Sequence, residues 1–519
     1  MGEVDDPGGA PGDGADGDDH TDGDDHTDGD DHTDGDDHTD GDDHTDGDDQ
    51  TDGDDQTDGG DGDAAAHELT TEGDAVGGSH RRRRHRAVRP VAAVLLLALA
   101  LASVAAYLRI EPPTPGPFYR PPADLPSQPG TLLRTEALPG VPPGSTGWKI
   151  LYTSTGLDGA PVAVSGVVIA PTGPPPPGGR DVVAWAHPTT GVADWCAPSL
   201  YSSTVAQTIP GLTGFLQAGQ VVVATDYPGL GTPGMHPYLV GESEGRSVLD
   251  SVRAARALDG AGAGGRFAVF GHSQGGQAAL FTGQLARSYA PELQLVGVAA
   301  AAPATDLATL VNRDLGTLFG GILLPMALVS WSDIYPGDDW RAVTVTGAQP
   351  LVARVAAQCI ETEPQAVLDL PEAEALKYRF LTVDPTTTQP WATQLAQNTP
   401  GAEPIQVPVF VAVGSDDQVV WPDVTQAYTA RLCTQGTTVE TAVMPGVPHT
   451  GAGFAMADAA VAWIEARFAG EPAPSTCGGP PTTVYASPGS VSGAPSAPGT
   501  TLAPGIAATT GTTLTTTGR

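Results

Sequence analysis

The sequence predicts a doubly wound α/β domain over residues 131–477, because short apolar runs alternate there with helical patterns. The runs show no polar alternation, which is typical of strands buried on both faces of a mostly parallel sheet. Helices are predicted at 247–258, 274–290 and 453–468. The predicted strands are Val162–Ile169, Val182–Ala186, Val221–Thr225, Phe267–Phe270, Leu295–Ala300, Val407–Val413 and Thr438–Met444.

Residues 1–80 form a separate acidic segment that holds 31 of the 62 acidic residues and no Lys or Arg. From Asp18 to Asp58 it repeats the unit Gly-Asp-Asp-His-Thr-Asp, with Gln in place of His at two positions. The copies contain no apolar residue, so burial cannot offset the entropy of ordering, and disorder is predicted. Such a segment repels phosphates, so nucleic-acid binding is not expected. Weak divalent-cation binding by its Asp and His residues is the alternative role.

An arginine-rich segment, residues 81–90, precedes an uncharged apolar run at 91–108. A helix of these 18 residues spans about 27 Å, enough to cross the hydrocarbon core of a membrane. Arginines on its N-terminal side favour export of the chain that is C-terminal to the run. The run is therefore predicted to be a signal anchor that holds the folded domain outside the cell membrane. A cleaved signal peptide, which would release a secreted protein, is the alternative.

Two low-complexity segments flank the predicted domain. Residues 109–130 are rich in proline and predict an extended spacer. Residues 478–519 consist mainly of Gly, Pro, Ser, Thr and Ala and predict a disordered tail.

The pattern Gly-x-Ser-x-Gly occurs at Gly271, Ser273 and Gly275, between a predicted strand and an Ala-rich predicted helix. A strand-turn-helix context of this kind is typical of a nucleophile elbow, in which the serine occupies a strained turn and its neighbours lack side chains. Ser273 is thus the predicted nucleophile. The backbone amide of Gln274, at the helix start, is predicted to stabilise an oxyanion.

A serine nucleophile needs a base, and few histidines qualify. Eight of the 12 His precede the apolar run at 91–108. His187 and His236 come before Ser273 in the chain and His272 is next to it, whereas nucleophile-elbow enzymes have the order Ser, acid, His. His449, in a loop between a predicted strand and a predicted helix, is therefore the predicted base.

The acid is expected at the end of a late strand, where 407–413 runs into Asp416 and Asp417. Adjacent side chains point in different directions, so only one of the two can hold the imidazole. Asp417 is chosen because the spacing from Gly414 to Asp417 to Val420 is the usual form of this turn. Asp416 is the alternative.

A second oxyanion donor is expected in the loop after an early strand. The strand at 182–186 ends in His187-Pro188-Thr189-Thr190-Gly191. Proline has no amide hydrogen, so Thr189 or Thr190 must donate, and the sequence leaves the choice open. No zinc-ligand spacing or phosphate-binding loop occurs, so neither a metal nor another cofactor is expected.

Four cysteines are C-terminal to the apolar run, and none has the sequence context of a nucleophile. An even number on the exported side predicts two disulfides, for which three connectivities are open.

Several motifs together resemble the secretory lipase family, the lipase-A-like branch of the α/β-hydrolases. They are HPTTGVADWCAPS, VVVATDYPGLGTPGMHPYLVG, VLDSVRAARAL, GHSQGG, VAVGSDDQVV and PGVPHTG. The resemblance covers about Phe118 to Cys477. It implies an exported lipase or esterase whose triad maps onto Ser273, Asp417 and His449.

The same resemblance implies a helical cap at about 304–400 and the disulfides Cys196–Cys359 and Cys433–Cys477. The predicted function is hydrolysis of a small-molecule or lipid ester, acylglycerols among them, through an acyl-enzyme. Acyl transfer or amide cleavage by the same triad is one alternative. A surface-display protein that uses the hydrolase fold only as a scaffold is another.

Overall fold

The computed structural model describes residues 113–360, 371–377 and 379–486. The predicted acidic segment at 1–80, arginine-rich segment at 81–90, apolar run at 91–108 and most of the C-terminal tail lie outside these residues. The described strands are β1 (Leu132–Ala137), β2 (Ser145–Thr155), β3 (Pro161–Pro171), β4 (Arg180–Ala186), β5 (Val221–Thr225), β6 (Ala263–His272), β7 (Gln294–Ala301), β8 (Val409–Gly414), β9 (Val439–Met444) and β10 (Thr482–Thr483).

These strands form one sheet in the order β1-β2-β3-β5-β4-β6-β7-β8-β9-β10. The pairs from β5 through β10 are parallel, whereas β1, β2 and β3 pair antiparallel at one edge. In β6, Phe267 and Val269 belong to one buried cluster, while Ala268 and Phe270 belong to the other. Both faces of the strand are thus buried, which explains why its sequence lacks polar alternation.

Helices cover both faces of the sheet, so the predicted doubly wound architecture is confirmed. The α1 and α9 helices pack into one core cluster, and α2 and α3 pack into the other. The described helices are α1 (Leu212–Gln217), α2 (Gly241–Ala257), α3 (Gln274–Tyr289), α4 (Leu307–Asp314), α5 (Leu318–Ile334), α6 (Gln349–Ala356), α7 (Trp391–Gln397), α8 (Pro422–Thr434) and α9 (Ala452–Phe468), and residues 371–376 are also helical.

A helical cap is inserted between β7 and β8. It contains α4, α5, α6, the helical residues 371–376 and α7. Apolar side chains of the cap join the core cluster on one face of the sheet. An inserted helical cap at about 304–400, as the family resemblance implies, is thus present.

Two stretches outside the predicted domain limits also contribute to the fold. Within the predicted spacer, Pro117–Tyr119 form a short 3-10 helix, and Phe118 and Tyr119 are buried in a cluster with Leu151. At the other end, β10 lies in the predicted tail and pairs with β9. The aromatic residues provide the apolar surface that a freely extended spacer would lack.

No helix in the described residues is both long enough and apolar enough to cross a membrane. The predicted anchor at 91–108 is not among these residues.

Candidate active site

Ser273 lies between β6 and α3 in a strained backbone conformation, with φ 56° and ψ −118°. A side chain at Gly271 would collide with the Gly275 carbonyl, and one at Gly275 would collide with the Ala186 carbonyl. Only glycine fits at these two positions, because the strand, turn and helix approach so closely. The local sequence therefore fixes a turn that presents the serine hydroxyl at the carboxyl end of the sheet.

Three residues that are distant in sequence meet at this turn. His449 Nε2 lies 2.8 Å from Ser273 Oγ, and His449 Nδ1 lies 2.8 Å from Asp417 Oδ2. His449 comes after β9, Ser273 after β6 and Asp417 after β8, so the parallel sheet brings them to one edge. With Asp417 ionised, Nδ1 donates to the carboxylate and Nε2 accepts from the serine hydroxyl.

The two candidate acids are in different environments. Asp417 is buried, and its Oδ1 accepts hydrogen bonds from the amides of Val419 at 2.9 Å and Val420 at 2.8 Å. Asp416 is exposed, and its carboxylate accepts from the hydroxyl of Ser415. Only Asp417 contacts the histidine, and two backbone amides hold its carboxylate in a single orientation.

His272 supports the base through the backbone. Its Nε2 donates to the carbonyl of His449 at 2.9 Å, and the two rings lie 5.2 Å apart. Burial and the proximity of His449 together lower the pKa of His272 to about 3, although the hydrogen bond to the His449 carbonyl raises it. The ring is therefore neutral at physiological pH and carries its proton on Nε2.

The two threonines of the predicted oxyanion loop have different surroundings. Thr189 lines the same cavity as Ser273 and Gln274, and its hydroxyl lies 3.0 Å from that of Tyr238. Thr190 does not line that cavity, and its carbonyl accepts from the amide of Ile360. Within the described residues, the backbone N–H groups of Thr189 and Gln274 donate to no other group. Both donors are thus available to a ligand next to Ser273.

A buried polar cluster, formed by Glu244, His236 and the side chain of Gln274, lies behind this site. The Gln274 amide donates to Glu244 Oε1 at 2.7 Å and to His236 Nε2 at 2.9 Å. Glu244 Oε1 also accepts from the amide of Leu239. Burial raises the pKa of Glu244 to about 8 and lowers that of His236 to about 3. The cluster thus holds the side chain of Gln274, the residue that directly follows Ser273 in the chain.

Sequence reasoning did not find this cluster. Glu244 lies in the first turn of α2, N-terminal to the helix predicted at 247–258. Gly241 and Gly245 resemble a break in the helix, yet they allow α2 to approach Phe281 and its neighbours on α3. The clearest available signal was a pair of acids, Glu242 and Glu244, between two glycines, which does not distinguish a loop from a tightly packed helix.

The cavity in front of Ser273 is lined mostly by apolar side chains of the cap. Asp314, at the end of α4, is the only side chain with a formal charge among the described residues that line it. The other lining residues are Thr189, Tyr238, Leu239, Gln274, Ala304, Leu307, Leu310, Val311, Gly320, Leu323, Leu324, Ala327, Leu328, Trp331, Pro385, Trp391, Leu395, Val419 and Val420.

Both disulfides implied by the family resemblance are present. Cys196–Cys359 joins the region after the oxyanion loop to the cap, across 163 residues. Cys433–Cys477 joins α8 to the segment before β10, across 44 residues. No described group of three or more His, Cys, Asp or Glu side chains is arranged to hold a metal ion.

The parallel sheet, the serine turn between β6 and α3 and the inserted cap define the class of α/β-hydrolases. Structural comparison agrees with this class. The structure of Candida antarctica lipase A has a TM-score of 0.60 and 21% identity, with 72% of this chain and 90% of that chain covered. The rice cell wall degrading esterase LipA from Xanthomonas oryzae has a TM-score of 0.53 and 23% identity, with 66% and 98% covered.

Sequence comparison identifies the family within this class. The model for secretory lipases matches residues 199–476, more than half of the 519 residues. Lipase 10 of Candida albicans is 25% identical over 412 residues, covering 74% of this chain and 87% of that protein. The chain belongs to the secretory lipase family and is an exported carboxylic ester hydrolase.

Proposed function

We propose that the chain hydrolyses lipid-like carboxylic esters through an acyl-enzyme formed on Ser273. In the first half-reaction, Ser273 Oγ attacks the ester carbonyl carbon while His449 Nε2 accepts its proton. The backbone amides of Gln274 and Thr189 donate to the resulting oxyanion. The bond to the alcohol oxygen then breaks, and His449 returns the proton to that oxygen. The alcohol leaves, and the acyl group stays on Ser273.

In the second half-reaction, His449 removes a proton from water, whose oxygen attacks the acyl carbon. The bond to Ser273 Oγ breaks, the serine recovers its proton from His449, and the carboxylic acid departs. Asp417 keeps its charge throughout and stabilises the imidazolium that forms in each step. The reaction neither oxidises nor reduces any group, and each proton that moves is carried by His449.

The observation that carries this proposal is the pair of 2.8 Å contacts that joins Ser273 to His449 and His449 to Asp417. The strained serine turn and the free amides beside it support the same assignment. The apolar lining of the cavity favours an apolar acyl chain, because burial of such a chain is stabilising.

Hydrolysis of p-nitrophenyl esters by the full-length chain tests the proposal. Ser273→Ala should lower kcat/KM by at least about a thousandfold, because it removes the hydroxyl that contacts His449 Nε2. Ser288→Ala, an exposed serine at the other end of α3, is the matched control and should retain the wild-type rate. Equal rates in Ser273→Ala and the wild type would show that Ser273 is not the nucleophile.

We further propose that residues 91–108 are a signal anchor that keeps the hydrolase domain outside the cell membrane. The length of this apolar run and the arginines before it support this topology. N-terminal sequencing of the mature protein tests it. An intact N-terminus is expected, whereas a mature N-terminus near residues 100–107 would show that the segment is cleaved and the enzyme released.

The comparisons favour neither acyl transfer, amide cleavage nor a purely structural display role. Substrate choice within the ester class then depends on the cavity, where the single charged side chain among the described lining residues is Asp314.

A further inference from the structure

Asp314 is an acidic residue in a cavity that is otherwise lined mostly by apolar side chains. It is the last residue of α4, is 8% exposed and lines the same cavity as Ser273 and Gln274. The side chains around it on the cap are almost all aliphatic or aromatic. A carboxyl group in such surroundings loses hydration that only hydrogen bonds can replace.

Hydrogen bonds from the described residues replace only part of the hydration that the Asp314 carboxyl loses. Trp421 Nε1 donates to Asp314 Oδ1 at 3.3 Å, and no described residue donates to Oδ2. The Asp314 backbone is fixed, because its carbonyl accepts from both the amide and the hydroxyl of Thr317, at 2.9 and 2.8 Å. The Thr317 hydroxyl in turn caps α5 through the amide of Gly320. Asp314 is thus held rigidly in the cavity, with one carboxyl oxygen that no described residue pairs.

Neighbouring charges do not neutralise the group. Arg313 is adjacent in sequence, but its guanidinium is paired with Asp423 on the surface. The pKa of Asp314 is raised to about 7, chiefly by burial; Trp421 and His449 act to lower it, Asp417 to raise it and Arg313 to lower it. Trp421, whose indole donates to Asp314, lies four residues after Asp417, so Asp314 is near the turn that holds the proposed acid.

This position indicates which part of a substrate Asp314 meets. His449 returns a proton to the alcohol oxygen of the ester, so the alcohol part lies on the histidine side of Ser273. Asp314 contacts Trp421, which directly follows the Val419 and Val420 turn that holds Asp417, and Asp417 in turn holds His449. We therefore assign Asp314 to the same side. A hydroxyl group suits this carboxyl, because it can pair with either its charged or its neutral form, whereas an ammonium group needs the charged form.

We propose that Asp314 determines specificity by hydrogen-bonding a free hydroxyl group on the alcohol part of the ester. The enzyme then prefers partial esters of polyols to esters whose alcohol part carries no free hydroxyl. This inference rests on the proposed function, since it places the alcohol beside His449.

Two hexanoate esters that differ by one methyl group test the proposal. The full-length chain is assayed with ethylene glycol monohexanoate and with the methyl ether of that ester. At about pH 8.5 most of the Asp314 carboxyl is charged and can only accept, so the ether leaves it unpaired and the wild type should prefer the hydroxyl ester about tenfold in kcat/KM. In Asp314→Asn, the amide N–H can donate to a hydroxyl or an ether oxygen alike, so the preference should fall to about onefold.

Asp314→Asn is nearly isosteric and leaves an acceptor for Trp421, so its fold can be checked by an unchanged Tm. Asp333→Asn, an exposed acid on α5, is the matched control and should keep the wild-type ratio. An equal ratio in the wild type and Asp314→Asn, or no preference in the wild type, would overturn the proposal.

A second pair of esters tests whether Asp314 contacts the alcohol part or the acyl part of the substrate. Methyl ω-hydroxyhexanoate and its ω-methyl ether place the hydroxyl on the acyl part, and the wild type should not distinguish them. A preference confined to this pair would overturn the assignment. If Ser273→Ala abolishes hydrolysis but Asp314→Asn leaves the ratio intact, only the role of Asp314 fails. If Ser273→Ala hydrolyses every ester at the wild-type rate, both the proposed function and this inference are wrong.

Discussion

The carboxyl ends of the parallel strands and the inserted cap form the two sides of one cavity, and they differ in how their polar groups are held. On the strand side, Asp417, His449 and Ser273 are joined in a continuous chain of hydrogen bonds. On the cap side, the described lining is apolar except for Asp314, whose carboxyl has a single described donor. In the proposed mechanism, the strand side carries out the chemistry and the cap side selects the substrate.

This difference reflects how each side is built. Short turns after buried strands define the positions of the reacting groups to within a few residues. The cap is held by side-chain packing and by the disulfide from Cys196 to Cys359. Changes on the strand side should therefore affect rate, and changes on the cap side should affect stability and selectivity.

The largest effect is expected from the acid on the strand side. Asp417→Asn should lower kcat about ten-thousandfold, because an amide favours the wrong tautomer of His449. Asp416→Asn is the matched control and should change kcat by less than about threefold, because Asp416 is exposed and does not contact the histidine. Steady-state kinetics on a p-nitrophenyl ester measures both variants. A larger loss of kcat in Asp416→Asn than in Asp417→Asn would show that Asp416 is the acid.

Removal of each disulfide in turn measures how much it contributes to the free energy of unfolding. Replacing either pair of cysteines with serines should lower the free energy of unfolding by about 2–5 kcal/mol. The loop of 163 residues closed by Cys196–Cys359 is longer than the 44-residue loop of Cys433–Cys477, so its loss should cost about 1 kcal/mol more. Denaturant titration of the two double variants measures the difference, and the reverse order would contradict the chain-entropy argument.

The buried Glu244 predicts a dependence of stability on pH. Its pKa is about 8 in the folded chain against an ordinary value of 4.5, so the folded state binds the proton more tightly. This stabilising contribution is fully present below about pH 4.5 and is lost as the pH rises through about 8. Glu244→Gln should flatten the slope in this window, which is at most about 1.4 kcal/mol per pH unit. An unchanged slope in denaturant titrations would show that Glu244 stays ionised.

The smallest effects are expected from the two threonines of the oxyanion loop. The hydroxyl of Thr189 contacts that of Tyr238, so Thr189→Val should cost about 1 kcal/mol of stability. The hydroxyl of Thr190 is buried without a described partner, so Thr190→Val should be neutral or slightly stabilising. Thermal unfolding of both variants distinguishes them, and a greater loss in Thr190→Val would contradict these contacts.

The same contrast explains how far the sequence predicts the structure. The buried parallel strands and the Ser273 turn depend on local patterns, so they can be recognised from the sequence. Strand β2, which lies between β1 and β3, is not predicted, because its Ser, Thr and Lys residues conceal the apolar positions that pack against α2. Asp314 and Glu244 could not be assigned, since their surroundings come from chain segments far apart in sequence. The choice between Thr189 and Thr190 likewise depends on which residue faces the cavity.

The most direct test of the central claim is to detect the acyl group on the protein. The full-length chain is mixed rapidly with p-nitrophenyl butyrate, quenched in acid, and its peptides are weighed. We expect a burst of about one p-nitrophenol per chain and a butyryl group on the peptide that contains Ser273. Neither should occur in Ser273→Ala. A burst that persists in this variant, or a butyryl group on another residue, would contradict the account.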